Sequence, residues 1–464
     1  MLQIDSWKDE LPLLGFKVLF LFCLLIIVST TPCWGQTITY QETVLAALRH
    51  SPQLRMRTED IRIAEAQYKS TYAGLLPSIH LSGRAERYEN LDSRSASGID
   101  TIGNEVVGGN STAWRSSVSV TGQYYFSNWY KKRYETGYYN SMKEAGIYQC
   151  QAEGKKIIRE VTELYGSMIE AQIKLHYSTR IAGCLHSLLK IKKEAHALGQ
   201  YSFEDMLKAE AEAVSADREN ASLHTDISEL IHRMSVYTGI ANADIRNFVP
   251  MEMKGELFFP DEKEAAVVAP EYKMRLREME ALQSKTIAAR NALLPDVSIY
   301  GRYDLFNSSP DSLDASIRDT RPSSYSAGIV VSVPLFDGGA KYWEWRKNQH
   351  ETERLQETIR GTFEDLNREI KTLRDGYITL SKTYHHYKKI NEGYERMTAI
   401  ALKAHELGDR SRLDMLELEK DALIVERDLK VTQQMLAVYE KRLDLERDYS
   451  SFLKGYDGNG SCRN

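Results

Sequence analysis

Two segments of the chain repeat the same reactive side chains at the same spacing: AHALGQYSFEDML at 195–207 and AHELGDRSRLDML at 404–416 share eight of thirteen residues. Each carries an imidazole (His196, His405), a glycine (Gly199, Gly408), a hydroxyl (Ser202, Ser411) and, three residues on, a carboxylate (Asp205, Asp414). A hydroxyl followed at that distance by an acid is the first part of a helix capping box, and a glycine just before it ends the preceding helix. Imidazoles beside carboxylates can titrate near pH 6 to 7 or bind a metal, although an exposed helical histidine usually does neither. The adjacent pair His385 and His386 points to different sides of its helix and makes no shared metal site.

No other constellation suggests bond-making chemistry. There is no nucleophile elbow, no phosphate loop and no Cys/His spacing for zinc, and the acids are spread along helical stretches instead of converging. The sequence therefore reads as a non-enzyme without metal or cofactor, and no nucleic-acid partner is expected.

The elements around these segments form one unit written twice. SPQLRMRTEDIRIAEAQYKSTYAGLLPSIHLSGRAERY (51–88) aligns without gaps with APEYKMRLREMEALQSKTIAARNALLPDVSIYGRYDLF (269–306), and VTGQYYFSNW (120–129) falls opposite VSVPLFDGGA (331–340). Such repeats decide the architecture before any motif does. The reading is a leader at 1–35, a first repeat at 36–250, a second at 251–455 and a flexible tail at 456–464. Each repeat runs helix, strand, loop, strand, long helix, the Gly-Ser-Asp turn, return helix.

Alternation marks the strands, at 78–90 and 114–126 in the first repeat and 296–306 and 323–336 in the second. Val297, Ile299, Gly301, Tyr303 and Leu305 share one face, and Ser298, Tyr300, Arg302 and Asp304 the other. Polar Gly/Ser/Asp-rich loops join each pair. The long helices, 129–198 and 340–407, contain no proline and reach about 105 Å and about 102 Å. In the second, Leu366, Ile370, Leu373, Tyr377, Leu380, Tyr384, Tyr387, Asn391, Tyr394, Thr398 and Ala401 keep a 4-3 spacing, a coiled-coil seam diluted by polar residues. Met415, Leu418, Ala422, Val425, Leu429, Thr432, Leu436, Tyr439 and Leu443 supply a matching seam on the return helix at 411–454. The first return helix spans 202–239, and the opening helices, 52–74 and 269–292, complete each half.

Charged residues make up 27% of the 464 and the mean hydropathy is −0.44, so a membrane signal must be of the strand type. Near the N-terminus, VLFLFCLLIIV (18–28) follows Lys17 and precedes a polar STTPCWGQ. Eleven apolar residues are too few to span a bilayer and read as a secretory leader cut before Gln36. Lipid on Cys33 is a further possibility, which the adjoining Pro32 disfavours. Cys150 and Cys184, on one helix, stand roughly 51 Å apart and cannot pair within a chain. No cysteine framework is expected.

Four amphipathic strands cannot close a membrane barrel alone, because the smallest single-chain barrels use eight. Other copies must complete them: a dimer would give eight strands and an interior filled by side chains, a trimer twelve strands and room for a lumen. The double LLP before a strand, VPLFDGG before a long helix and LGxxSxxDML at each helix turn resemble the outer-membrane factor (TolC) family of channel proteins across nearly the whole chain. YYFSNW at 124–129 departs from that pattern.

The resemblance implies a mainly α fold with membrane β: a homotrimer with a twelve-stranded outer-membrane barrel and a periplasmic α-barrel of coiled coils. It also implies the exit duct of a tripartite efflux or type I secretion system in the Gram-negative outer membrane. Its partners would be its own copies, a periplasmic adaptor, an inner-membrane pump of resistance-nodulation-division or ABC type, and outer-membrane lipids. Asp414 and Glu417 match acidic rings at the tunnel entrance, and Asp205 matches in the first turn, where Lys208 replaces the second acid. Arg410 matches a residue tying neighbouring turns together, or is an ordinary surface arginine. Gly199, Ser202, Asp205, Gly408, Arg410 and Ser411 would form the turns that meet the adaptor. A periplasmic coiled-coil structural or adhesion protein is the rival reading, and the cargo is not legible in the sequence.

Overall fold

The computed structural model describes residues 37–89, 97–99, 105–107, 112–240, 244–255, 259 and 261–452; the expected leader and tail lie outside them. In chain order the elements are α1 (Tyr40–His50), α2 (Pro52–Ala73), β1 (Ser78–Glu89), β2 (Ser97–Ile99), β3 (Glu105–Val107), β4 (Thr112–Tyr125), α3 (Lys132–Ala197) and α4 (Phe203–Thr238). They continue as α5 (Glu262–Val268), α6 (Pro270–Asn291), β5 (Asp296–Ser309), α7 (Leu313–Arg318), β6 (Arg321–Ser332), α8 (Ala340–Glu406), α9 (Arg412–Arg447) and α10 (Tyr449–Phe452). The chain is thus mainly helical with four long strands. No helix among the described residues is long and apolar enough to cross a membrane.

The chain divides into two compact units. One comprises the described residues of Ser51–Ile158, Phe258–Gly376 and Leu443–Asn464 and holds an antiparallel sheet in the order β1-β4-β5-β6. Ser51 caps α2 by accepting from Leu54 N, with Pro52 at the first helical position, where its missing N–H costs nothing. The segment that departs from the repeat, Phe126–Trp129, forms a 3₁₀ turn, so α3 starts at Lys132 and not at 129. Around this turn, Asn128 Nδ2 donates to the Gly74 carbonyl at 2.7 Å, the Tyr130 hydroxyl donates to the Pro295 carbonyl and Asn291 Nδ2 donates to the Tyr130 carbonyl at 2.6 Å. The irregular segment therefore ties down both Leu-Leu-Pro turns.

Deeper in this unit Lys155 is 1% exposed, its Nζ 2.7 Å from Glu446 and 3.5 Å from Glu271. A cation in that position needs such partners, because its desolvation is otherwise uncompensated.

The other unit comprises the described residues of Met1–His50, Arg159–Leu257 and Tyr377–Arg442 and is helical. Tyr177, Ile181, Leu185 and Leu188 of α3 bury against Ala213 and Ala216 of α4 and Leu416 and Leu423 of α9, while Ala401 of α8 meets Met415 and Leu418 of α9. α9 is therefore buried on more than its 4-3 seam: Leu416, Leu423 and Ala437 lie off the seam and are also buried. A second cluster gathers Leu164, Tyr165, Met168, Ile169, Met234, Phe248 and Met251. Here Ile38 pairs with Phe248 in a parallel bridge, and the Tyr165 hydroxyl donates to the carbonyls of Val249 at 2.7 Å and Ile38 at 3.0 Å. Burial pushes that phenol up to about 12, so it remains a donor throughout the physiological range.

Three sequence expectations change. The loops are not wholly irregular: β2 pairs with β3, and α7 forms where Ser312 accepts from Ala315 N. The return helix α9 stops at Arg447 instead of 454, with the short α10 following it, because Asp448 accepts from Ser450 N and Oγ at 3.0 and 2.6 Å, a local bond that competes with helix continuation. Cysteine pairing is not absent either. Cys150 is disulfide-bonded and Cys184 is free and buried; spacing excluded only the bond between those two.

Replacing Tyr165 by Phe removes the one hydroxyl shared by the part-buried carbonyls of Ile38 and Val249. The expected loss is about 1–3 kcal/mol of unfolding free energy, read by denaturant titration, with faster amide exchange at Ile38 and Val249.

Candidate functional site

Both repeated turns fold alike. Gly199 has φ 74° and Gly408 φ 82°, the left-handed region where a side chain is costly. Gln200 N donates to Ala195 O and Gly199 N to His196 O; Asp409 N donates to Ala404 O and Gly408 N to His405 O, all between 2.9 and 3.0 Å. These are Schellman closures, which satisfy the last carbonyls of α3 and α8.

The next helix then opens on its serine. Asp205 N donates to Ser202 Oγ at 3.1 Å and Ser202 Oγ to Asp205 Oδ2 at 2.6 Å; the matching pair at Ser411 and Asp414 measures 3.1 and 2.7 Å. At Ser411 the backbone N–H also reaches Asp414 Oδ2 at 3.3 Å, completing a reciprocal box with aspartate as the acid.

The histidines have a role that spacing did not reveal. His196 Nδ1 lies 2.9 Å from the Tyr201 carbonyl and His405 Nδ1 2.7 Å from the Arg410 carbonyl. A carbonyl only accepts, so Nδ1 carries the proton in both rings, and each imidazole clips the end of one helix to the start of the next. Among the described residues no group of three His, Cys, Asp or Glu side chains could hold a metal.

The acids differ from one another. Asp414 is exposed, and the hydrogen bonds from Ser411, side chain first and backbone second, hold its carboxyl below the ordinary range, aided by the charge of Arg410. Glu417 instead lies 3.4 Å from Lys192 of α3, a partner sequence reasoning missed because two distant helices supply the pair. In the first turn, Lys208 pairs with Glu204 at 2.7 Å. At the turns themselves Leu198 and Leu407 are 75% and 79% exposed.

In the sheet unit, register sorts the side chains into two faces. The cross-strand sets Leu81–Val120–Tyr303–Tyr325 and Gly122–Gly301–Ala327 share one face, together with Val118–Leu305 and Ile299–Ile329. Its large apolar residues are exposed, Leu81 at 74% and Tyr325 at 84%. The other face presents Ser82–Ser119–Asp304–Ser324 and Thr121–Arg302–Ser326. There Arg302 Nε donates to Asp304 Oδ1 at 2.7 Å. Where the strands give way to helix, Lys131 pairs with Asp296 at 2.7 Å. A sheet with a polar inner face and a large bare apolar outer face suits lipid on one side and water on the other.

Removing the hydroxyl by Ser411→Ala should raise the Asp414 pKa toward its ordinary value. Because the folded pKa is depressed, the stabilisation it reports is present above the ordinary carboxylate pKa and is lost as pH falls through the folded one. The melting-temperature gap between wild type and variant should be open at neutral pH and close on acidification.

Residues 269–444 match the family model described as outer membrane efflux protein. Comparison with curated proteins finds no match. Among solved structures, the chain resembles the CmeC outer membrane channel of Campylobacter jejuni, with 17% identity, 90% of this chain and 89% of that one covered and a TM-score of 0.73. It also resembles the outer membrane protein VceC of Vibrio cholerae (16% identity, 88% and 95% covered, TM-score 0.72). The open state of the Neisseria gonorrhoeae MtrE outer membrane channel gives 15% identity, 88% of both chains and a TM-score of 0.63. Residues 269–444 thus match the outer membrane efflux protein family, and the chain as a whole shares the fold of these outer-membrane channels.

Proposed function

We propose that three copies of this chain form an outer-membrane channel, the exit duct through which a tripartite efflux or type I secretion system passes substrates from an inner-membrane pump to the outside. The observation that carries this reading is the open sheet, apolar on one face and polar on the other, with β1 and β6 at its edges. In lipid every backbone polar group must be paired, so those edges need β6 and β1 of further copies. A periplasmic structural coiled coil would have no use for such a sheet.

In this reading the helical unit extends into the periplasm and the six Gly-Ser-Asp turns of the trimer meet an adaptor. The exposed Leu198 and Phe203 at the first turn and Leu407 at the second support it, being apolar anchors among the polar residues of the turns. Asp414 faces the entrance as a ring of three, with Glu417 as a weaker second ring because Lys192 already shares its charge. Gathered carboxylates focus cations.

The detergent-extracted protein should run as a heat-modifiable trimer; a conducting, monodisperse monomer or dimer would refute the assembly. Cysteines placed at 93–112 or 307–322 should label with an impermeant reagent on intact cells, and labelling only after permeabilisation would invert the orientation. In planar bilayers the trimer should prefer cations, and Asp414→Ala should reduce that preference more than Glu417→Ala does. Unchanged selectivity in the double variant would leave both acids as first-turn helix residues with no gate.

A further inference from the structure

The polar face of the sheet has an uneven charge inventory toward the ends of β1 and β4 nearest their connecting loop. Arg84 pairs with Glu86 at 2.6 Å, and Arg115 stands directly opposite Glu86 in the β1–β4 register. The one carboxylate there is thus engaged by Arg84. Arg115 instead stacks on Tyr88: its Cζ lies 3.7 Å from the centroid of that ring, two residues beyond Glu86 on the same face, as planar cations settle on aromatic faces.

Neighbouring strands add no acid to neutralise the excess. Beyond the Arg302–Asp304 pair, which is internally balanced at 2.7 Å, β5 offers Phe306 and Ser308, paired with Ser117 and Arg115. The polar face of β6 carries Arg321, Ser324, Ser326, Gly328, Val330 and Ser332, so a second copy laying its β6 beside β1 brings no carboxylate either. The α7 loop docks on the opposite face, where Ser116 Oγ donates to the Ser316 carbonyl at 2.7 Å and Asn307 Nδ2 to the same carbonyl at 3.2 Å, and its Asp314 is paired with Arg318 at 3.0 Å.

We propose that Arg84, Glu86, Tyr88 and Arg115 form a binding site for amphipathic organic anions inside the barrel, repeated in each copy; this rests on the trimeric channel reading above. The stacked guanidinium of Arg115 presents its N–H edge to a carboxylate or sulfonate in two parallel bonds. Glu86 holds Arg84 in place, and Tyr88 holds Arg115. Phe306, 45% exposed, offers an apolar surface to the ring or chain that such an anion carries. The site favours departing cargo with an acidic head and an aromatic body over cations of the same size.

The test is single-channel recording of the full-length trimer with naphthalene-1,5-disulfonate in the bath, and tetraethylammonium as the cation of comparison. The disulfonate should block the wild type; Arg115→Gln should raise the half-blocking concentration about tenfold, the loss of one charge-assisted contact. Arg115→Lys, which keeps the charge but not the stack, should fall between. Block by tetraethylammonium should not weaken in Arg115→Gln. A heat-modifiable trimer band confirms assembly of each variant, and Arg84→Gln on the exposed part of β1 replaces Arg115→Gln should that variant not assemble. Conducting trimers blocked equally in wild type and variant, or a wild type that is not blocked, overturn the site and leave the channel standing. A wild type that forms no conducting trimer overturns the channel reading, and the site with it.

Discussion

The rest of the molecule is organised around the two edges of one sheet, along which, among the described residues, no further strand pairs. β1 and β6 are the outer strands of the four-stranded sheet, and the face they share is apolar from Leu81 across to Tyr325. Water could satisfy those edge groups, but water is what the apolar face avoids. Closure by other copies removes the conflict, and it demands strands that start and stop together. The braces around Asn128, Tyr130 and Asn291 serve that demand, because they fix both Leu-Leu-Pro turns to the point where β4 becomes helix.

Most of this was legible in the sequence where a physical period was at work. Alternation exposed the faces of β5, and the 4-3 spacing picked out Leu366, Ile370 and Leu373, all buried. The serine caps at 202 and 411 were legible because a cap is a local bond between residues three apart. What escaped was of another kind. The histidine clips depend on a backbone carbonyl five residues away, which any residue type supplies, so the only available signal was the recurrence of His at the same place in both copies. Lys192 and Glu417 meet across helices far apart in the chain, and no spacing rule connects them. The disulfide at Cys150 escaped because only one pairing was tested by distance.

The two turns also show how a repeated sequence can keep its geometry while its charges diverge. Both close on a left-handed glycine, a clipped imidazole and a serine, down to hydrogen bonds that agree within a few tenths of an ångström. Backbone shape is fixed by these few residues, which leaves the positions around them open. Lys208 in one copy and Glu417 in the other occupy that freedom, so the same scaffold presents a basic residue at one turn and an acidic one at the next.

Lys155 constrains how this chain can vary over time. Its ammonium is enclosed with Glu446 and within reach of Glu271, so losing either member of the main pair alone strands a charge away from water, which is far costlier than losing both. Substitutions there are coupled, and the effect of one depends on the state of the other. Lineages of this protein should therefore hold the pair intact or replace it as a pair by apolar residues, with few sequences in between. The two positions should drift together through history even though nearly three hundred residues of chain separate them.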